Sequence, residues 1–264
     1  MSALSHVPLG LHFVEGGPVA GLALAERRVA APRATVVAIH GALDRAGSFA
    51  RLARRLEGVD LVAYDRRGYQ GSRALGVGTL EDHVHDLTAV VRAQREGGRV
   101  VLFGHSYGGL VALSAATRDP ALSDLVLAYE SPLPWVLARP GTRPPLGGDP
   151  ALEAERFFQR VMSPAAWERL SAAERESRRL DGPALLADLR SLSGPAPVDL
   201  AALETAAAYL HGDAVNAEYY RALGVALQRL NPGIDVVEVP GAGHGAHLSH
   251  PAALARLIEQ MERR

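Results

Sequence analysis

The residues best suited to chemistry are a serine and the two glycines that flank it. Gly104, Ser106 and Gly108 follow an apolar run at 99–103 and open a helical pattern at 107–118. A serine on a tight strand–turn–helix bend takes strained backbone angles, and glycines on either side let neighbouring chain approach closely. The helix also directs free N–H groups and the positive end of its dipole toward the hydroxyl. The pattern therefore predicts a nucleophilic serine for acyl transfer.

A serine nucleophile needs a base, and His244 is placed to supply one. It lies in a loop just after the last apolar run, 234–239. A loop at the carboxyl end of a parallel strand lies on the same edge of the sheet as Ser106, which favours a catalytic base over a solvated loop histidine. His247 and His250 follow at three-residue spacing. No carboxylate cluster accompanies them, so no metal site is expected.

An acyl-transfer site also needs donors for the developing oxyanion. The apolar run at 35–39 leads into a turn that contains Ala42. The backbone N–H groups of Ala42 and of Tyr107, the residue after the serine, are predicted to form a two-donor oxyanion hole. Asp44 and Arg45 follow in the same turn, and we expect them near the mouth of the pocket.

These residues work together only if strand ends meet at one edge, and the hydrophobic pattern predicts such a fold. Continuous apolar runs alternate with amphipathic segments, which is typical of a mostly parallel sheet covered by helices on both faces. The first thirty residues predict an antiparallel hairpin at one edge, with strands at 11–14 and 19–25. The predicted strands are 35–39, 60–64, 99–103, 124–129, 205–210 and 234–239, and the helices between them are 45–56, 80–95, 107–118, 218–230 and 251–261.

The alternation breaks after the sixth strand, and the break predicts a small helical cap. Residues 1–131 and 200–264 form the two parts of the α/β core, and 132–199 form the insert, with helices at 151–162, 164–179 and 183–192. The apolar residues expected on the underside of the cap are Leu152, Phe157, Phe158, Val161 and Trp167. The expected substrate contacts are Trp135, Phe157 and Phe158. The alternative is that these side chains only pack the cap onto the core.

In combination, these motifs resemble the α/β-hydrolase superfamily, in its branch with a helical lid. The shared features are the His40-Gly41 turn, the Asp65-Arg66-Arg67-Gly68 turn, the bend at Ser106, the insert and the Gly243-His244 loop. The resemblance covers nearly the whole chain. It implies a Ser–acid–His triad, acyl-enzyme chemistry and no cofactor, but it does not name a substrate.

The acid of that triad departs from the family pattern. The usual position, three residues after the glycine that ends the seventh strand, holds Val215, which cannot orient an imidazole. Glu130, at the end of the sixth strand, is the preferred candidate, because some members of the superfamily place their acid there. Asp213 is the second candidate, and a site without an acid is the third possibility.

Composition excludes several other classes. The chain has 264 residues, with 28 basic and 29 acidic side chains and a net charge of −1, so it has no general attraction to nucleic acid or anionic membrane. It has no cysteine, and every basic residue is arginine, which excludes disulfides, thiolate nucleophiles and lysine Schiff bases. No signal peptide or membrane span is visible, so a cytoplasmic protein with a small-molecule substrate is expected. The sequence does not indicate an oligomeric state.

The sequence predicts a serine hydrolase that acts through an acyl-enzyme. Its substrate class is a small ester, lactone, thioester or activated C–C bond, because the nucleophile position holds Ser106 and not an aspartate. Two alternatives remain. One is a non-catalytic ligand-binding or receptor protein that keeps the fold, which the unusual Val215 motivates. The other is a cofactor-free, haloperoxidase-like perhydrolase that uses the same residues.

Overall fold

An eight-stranded sheet forms the centre of the molecule. The computed structural model describes residues 11–14, 16–95, 98–138 and 147–264. The strand order is β1-β2-β4-β3-β5-β6-β7-β8, with β1–β2 and β2–β4 antiparallel and the other pairs parallel. The strands are β1 (His12–Val14), β2 (Leu24–Arg27), β3 (Ala34–Ile39), β4 (Asp60–Tyr64), β5 (Arg99–His105), β6 (Leu125–Tyr129), β7 (Ala207–Gly212) and β8 (Ile234–Val239). The predicted mostly parallel, helix-flanked sheet is confirmed.

Helices cover both faces of this sheet and explain why its central strands are mostly apolar. Every residue of β3, β4 and β6 is buried, as expected for parallel strands between two helical layers. One face packs against α2, α3 and α8, and the other packs against α1 and α10. The helices are α1 (Ala50–Ala53), α2 (Leu80–Gln94), α3 (Tyr107–Arg118), α4 (Pro150–Val161), α5 (Pro164–Glu168), α6 (Ala172–Leu180), α7 (Gly182–Ser191), α8 (Ala217–Leu230), α9 (Ala246–Ser249) and α10 (Pro251–Glu262).

Two core segments differ from their predicted form. The helix predicted at 45–56 is a 3₁₀ turn, Ala46–Phe49, followed by the single turn of α1. The hydroxyl of Ser48 donates to the Asp44 carboxylate and to the Arg45 carbonyl, and such local bonds compete with a regular helix. The second hairpin strand begins at Leu24, later than the predicted 19–25, because it takes its register from pairing with β4.

Four helices, α4 to α7, lie between β6 and β7, where the cap is predicted. Residues 139–146 of this insert lie outside the described residues. The helix predicted at 164–179 is divided into α5 and α6, because Ser171 and Glu174 form a capping box that starts a new helix. Leu152 is 49% exposed and lies on the solvent side of α4, opposite Ala154 and Phe158, so its predicted place on the underside of the insert is wrong. Val161, the last residue of α4, shares the face of Ala154 and Phe158 and is 37% exposed.

No helix in the described part of the chain has the length and apolar character needed to cross a lipid bilayer. The carboxyl ends of β3, β5, β6 and β7 lie side by side in the sheet. The turns that follow these strands carry most of the residues predicted to do chemistry.

Candidate active site

Ser106 occupies a strained bend between β5 and α3. Its φ is +52° and its ψ is −123°, in a region that non-glycine residues rarely adopt. Its backbone N–H donates to the carbonyl of Tyr129, at 2.8 Å. A Cβ on Gly104 would lie 2.4 Å from the Gly109 Cα, and one on Gly108 would lie 2.1 Å from the Ile39 carbonyl oxygen. Both flanking glycines are therefore required, because α3 passes directly over β3 and β5.

The turn after β3 passes directly beside Ser106. A Cβ on Gly41 would lie 2.9 Å from the Ser106 Cβ, so this loop and the serine are in contact. Ala42 is the next residue and is only partly buried. Tyr107 begins α3, where the first N–H groups of a helix have no intrahelical partner. The structure thus brings both predicted oxyanion donors to segments that flank the serine.

His244 contacts Glu130. The Nδ1 atom of His244 lies 2.7 Å from Oε2 of Glu130, whose side chain is 1% exposed. The other carboxylate oxygen, Oε1, accepts from the backbone N–H of Gly212 at 3.1 Å. Since a carboxylate only accepts, Nδ1 carries the proton, and Nε2 is the nitrogen of His244 that remains for chemistry.

Glu130 holds an unusual backbone conformation at the end of β6. Its φ is +45°, and its N–H donates to the carbonyl of Leu210 on the neighbouring strand, at 2.8 Å. Extending the parallel pairing by one residue and then turning to positive φ gives the carboxylate its position at the end of β7. A non-glycine residue at positive φ is costly unless the surroundings impose it, and such residues cluster at functional sites.

Asp213, the second candidate acid, has a different partner. Its Oδ1 atom accepts from the backbone N–H of Gly241 at 2.6 Å and so organises the turn after β8. Val215, at the usual position of the family's acid, is 58% exposed. Of the two candidate carboxylates, the structure therefore brings only Glu130 to His244.

The loop that carries His244 is held by residues beside the bend. The Tyr129 hydroxyl donates to the Gly243 carbonyl at 2.8 Å. The Nε2 atom of His105, the residue just before the serine, lies 2.8 Å from the His244 carbonyl and donates to it. The rings of His105 and His244 lie 4.7 Å apart, centre to centre. These contacts bring His244 and Ser106 into one neighbourhood.

A second group of titratable side chains lies behind the bend. Asp44, His105 and His247 each offer one ligand atom, and these atoms lie within 4.8 Å of one another. The Nε2 atom of His247 lies 3.4 Å from the Asp44 carboxylate. No spacing in the sequence indicates this group, because its members come from three separate turns.

Charge within this group is fixed by burial and by neighbours. Burial raises the pKa of Asp44, but the imidazole of His247 outweighs it and holds the pKa well below its usual range. Burial lowers the pKa of His105 well below its usual range, and the imidazoles of His247 and His244 add to that effect. His105 is therefore neutral, with its one proton on the nitrogen that binds the His244 carbonyl.

A fully buried arginine connects the turn after β3 to the insert. Arg66 is 0% exposed, and it donates to the carbonyls of His40 at 3.0 Å and Gly41 at 3.3 Å. Its two terminal nitrogens also donate to Asp188 of α7, at 2.6 and 3.2 Å. The Tyr69 hydroxyl donates to the same carboxylate at 2.6 Å. No local motif singles out Arg66 or Asp188 individually. The sign of this pair in the sequence is an aspartate on the apolar face of a predicted helix.

His40 organises this turn in its neutral form. Burial lowers the pKa of His40 to about 3, and the nearby Arg66 cation adds to that effect. Its Nε2 atom accepts from the backbone N–H of Arg66 at 2.8 Å, and its Nδ1–H donates to the Gly41 carbonyl at 2.7 Å. One proton on Nδ1 satisfies both bonds.

The expected substrate contacts separate into two places. Phe158 is buried in a small cluster with Leu43 and Trp167, and Phe157 and Ala42 pack against it. Aromatic side chains of the insert thus lie against the turn that contains Ala42.

Trp135 lies elsewhere. It packs against the main core and lines a cavity with Val198, Leu200 and Arg229. Neither Ser106 nor His244 is among the described residues that line that cavity.

Comparison with known proteins gives a family and a fold. The sequence profile described as the alpha/beta hydrolase family matches residues 36–257, most of the chain. The chain belongs to the alpha/beta hydrolase family. It is similar to human monoglyceride lipase, with 37% identity over 118 residues, and to lipase LipV of Mycobacterium tuberculosis, with 36% identity over 95 residues.

These alignments are partial. They cover 41% and 36% of this chain, and only 37% and 36% of the two lipases. Among solved structures, the crystal structure of E-2-(acetamidomethylene)succinate hydrolase superposes with a TM-score of 0.69 at 20% identity, covering 96% of this chain and 100% of that one. That likeness shows the alpha/beta hydrolase fold alone.

Proposed function

We propose that this alpha/beta hydrolase is a serine hydrolase that acts through an acyl-enzyme on a small ester, lactone or thioester. The contact between His244 and Glu130, 2.7 Å at Nδ1, carries the proposal. It gives the imidazole a fixed tautomer and leaves Nε2 as a base, on a loop that His105 ties to the bend bearing Ser106.

The proposed reaction uses each residue in turn. As the Ser106 oxygen attacks the acyl carbon, His244 Nε2 takes the hydroxyl proton, and the carbonyl oxygen becomes an oxyanion. The N–H groups of Ala42 and Tyr107 stabilise that charge. The bond to the leaving oxygen or sulfur then breaks, and His244 returns the proton to the leaving group. Water, deprotonated by His244, releases the acid in the reverse sequence.

Glu130 stabilises the imidazolium that forms in each step. Its second oxygen is held by the Gly212 N–H, so the carboxylate does not rotate away. Glutamate is one methylene longer than aspartate, which suits a position at the end of β6 and not after β7. This geometry supports the hydrolase over the non-catalytic alternative that Val215 motivated.

The insert at 132–199 is proposed to act as the lid of this site. Support comes from the cluster of Phe158 and Trp167 with Leu43, and from the neighbouring Phe157. These side chains lie beside the turn after β3 that contains Ala42, the proposed oxyanion turn. The aromatic surface would accept the apolar part of a substrate, with Phe157 and Phe158 as contacts.

The test is labelling with a fluorophosphonate probe, followed by hydrolysis of p-nitrophenyl esters of graded chain length. The folded protein is expected to be labelled at Ser106, and the Ser106→Ala variant is expected to lose both labelling and hydrolysis. Ser114→Ala is the matched control, since Ser114 is a buried serine on α3, the same helix. A folded protein that is not labelled, yet binds small acids or esters, would favour the non-catalytic ligand-binding alternative. Peracid formation from hydrogen peroxide and a carboxylic acid, without ester hydrolysis, would favour the perhydrolase.

A further inference from the structure

Two arginines lie at the junction of the insert and the turn after β3, the proposed oxyanion turn. Arg45 follows the turn that contains Ala42, and Arg178 lies near the end of α6. Nη1 of Arg178 donates to the carbonyl of Leu43 at 2.7 Å, one residue from Ala42. The same guanidinium lies 4.7 Å above the centre of the Phe158 ring. The pair therefore lies beside the segment proposed to hold the oxyanion.

These guanidinium groups lack partners for several donors. Nε and Nη2 of Arg45 and Nε of Arg178 are buried and have no hydrogen-bond acceptor among the described residues. Within the described part of the chain, neither arginine has a carboxylate within 4.0 Å. A buried N–H of a cation without an acceptor is unfavourable, since the water that it lost is not replaced.

The two cations also repel one another. Burial lowers the pKa of Arg178 to about 10, and the charge of Arg45 is the next largest cause. Both residues are partly exposed. An anion between them would remove the repulsion and accept the unpaired donors.

The nearby carboxylates are already engaged elsewhere. Asp44 accepts from the Ser48 hydroxyl and contacts His247. Glu174 caps α6 by accepting from the Ser171 N–H and hydroxyl.

Two further carboxylates are also held. Asp181 pairs with Arg73 at 2.6 Å. Asp65 accepts from the N–H groups of Ala46 and Gly71, at 2.8 and 3.0 Å. The protein's own acids near the pair thus have other partners, and the counter-ion of the pair is best supplied by a ligand.

We propose that Arg45 and Arg178 form an anion subsite for a carboxylate on the acyl part of the substrate. This rests on the proposed hydrolase function and narrows its substrate class to half-esters or half-thioesters of dicarboxylic acids. Arg178 binds the carbonyl one residue from Ala42, and consecutive Cα atoms are about 3.8 Å apart, so the carboxylate and the reacting carbonyl lie within about 10 Å. A short dicarboxylic acyl chain such as succinyl fits within that limit.

The kinetic test compares two esters that differ only in charge. These are mono-p-nitrophenyl succinate, with a free carboxylate, and its neutral methyl ester. The wild type is expected to prefer the charged ester, and Arg45→Gln and Arg178→Gln are each expected to lower the ratio of kcat/KM for charged over neutral ester by about 10- to 100-fold, mainly through KM. Arg178→Lys is expected to keep part of the ratio, because it keeps the charge.

Arg179→Gln is the matched control. Arg179 is the next residue on α6 and pairs with Glu155 at 2.7 Å, so its variant is expected to keep the wild-type ratio. If Arg178→Gln also disturbs the oxyanion turn, the hydrolysis of both esters will slow together. The ratio of kcat/KM measured with Arg45→Gln is then the test of the anion subsite. An unchanged ratio in Arg45→Gln overturns the subsite, while hydrolysis of the neutral ester leaves the hydrolase standing.

A binding measurement separates the subsite from catalysis. Sodium succinate at millimolar concentration is expected to raise the Tm of the wild type relative to sodium chloride at equal ionic strength, and to raise that of Arg45→Gln less. A Tm rise without any ester hydrolysis would keep the anion site and reject the hydrolase. Equal Tm rises in both proteins, or none in either, would reject the anion site.

Discussion

Replacing Glu130 with glutamine tests the proposed charge arrangement most directly. Glutamine has nearly the same shape, so its carbonyl can still accept from the Gly212 N–H. Its NH₂ group then faces Nδ1 of His244, now 2.7 Å from the Oε2 atom of the carboxylate. That contact is favourable only if Nδ1 accepts, which moves the imidazole proton to Nε2, the nitrogen that must take the proton from Ser106.

The expected loss is about 100- to 10,000-fold in kcat, or about 2.7–5.4 kcal/mol of transition-state stabilisation. The assay is p-nitrophenyl ester hydrolysis under saturating conditions, with far-UV circular dichroism to check folding. Glu130→Asp keeps the charge but shortens the side chain, and an intermediate loss is expected. KM is expected to change little in Glu130→Gln, since the substrate does not touch Glu130.

Asp213→Asn is the matched control, because Asp213 binds the Gly241 N–H and not His244. An asparagine keeps an acceptor oxygen for that bond, so a loss of less than about threefold is expected. If Asp213→Asn lost more activity than Glu130→Gln, or if a folded Glu130→Gln kept kcat within about tenfold, the assignment of Glu130 would be refuted.

Three further predictions concern the surroundings of the site. Asp188→Asn leaves the buried Arg66 cation without its counter-charge, which costs about 3–5 kcal/mol of folding stability. For a 264-residue chain this cost lowers the Tm measured by calorimetry by about 5–9 °C. The double variant Arg66→Met with Asp188→Leu is expected to recover part of the lost stability. Burial raises the pKa of Asp188, but Arg66 outweighs it and holds the pKa below the ordinary 3.8, so the pair's stabilisation is complete above about pH 4 and is lost as pH falls further. Urea titrations from pH 5 to 2 should show that loss in the wild type and a weaker one in Asp188→Asn; equal slopes would contradict it. Trp135→Phe is expected to leave ester kcat/KM within about twofold, since Trp135 lines a cavity without Ser106; a tenfold fall would return it to the site.

The fold was predictable because its signals are local. Largely apolar runs such as 60–64 are long enough to identify each buried strand. The glycines around Ser106 indicate the bend without any information from the rest of the chain. The helix predicted at 45–56 failed because a side chain, Ser48, offers the backbone alternative bonds, which hydrophobic periodicity does not register. The prediction that Leu152 is buried under the insert was wrong for a related reason. Periodicity identifies the apolar residues of a helix but not which of them a neighbouring element covers.

The site was predictable only in part, because some of its contacts join distant segments. Strand order favours the contact between Glu130 and His244, because the end of β6 lies at the same edge of the sheet as the loop that carries His244. Arg66 and Asp188 lie 122 residues apart in sequence, and no spacing rule connects them. The same holds for Arg45 and Arg178, whose unpaired N–H groups appear only once the insert is folded onto the core.

If Glu130 on β6 is the acid of the triad, as proposed, the segment after β7 does not have to supply one, as the usual family pattern requires. Residues 214–216 are exposed, and the one anchoring side chain nearby, Asp213, lies before them. A short peptide tag inserted after Val215 should therefore leave ester turnover intact, where the same insertion in an enzyme with the usual acid would separate that acid from its histidine. The arrangement leaves a loop beside the proposed reaction centre whose length can be changed by design.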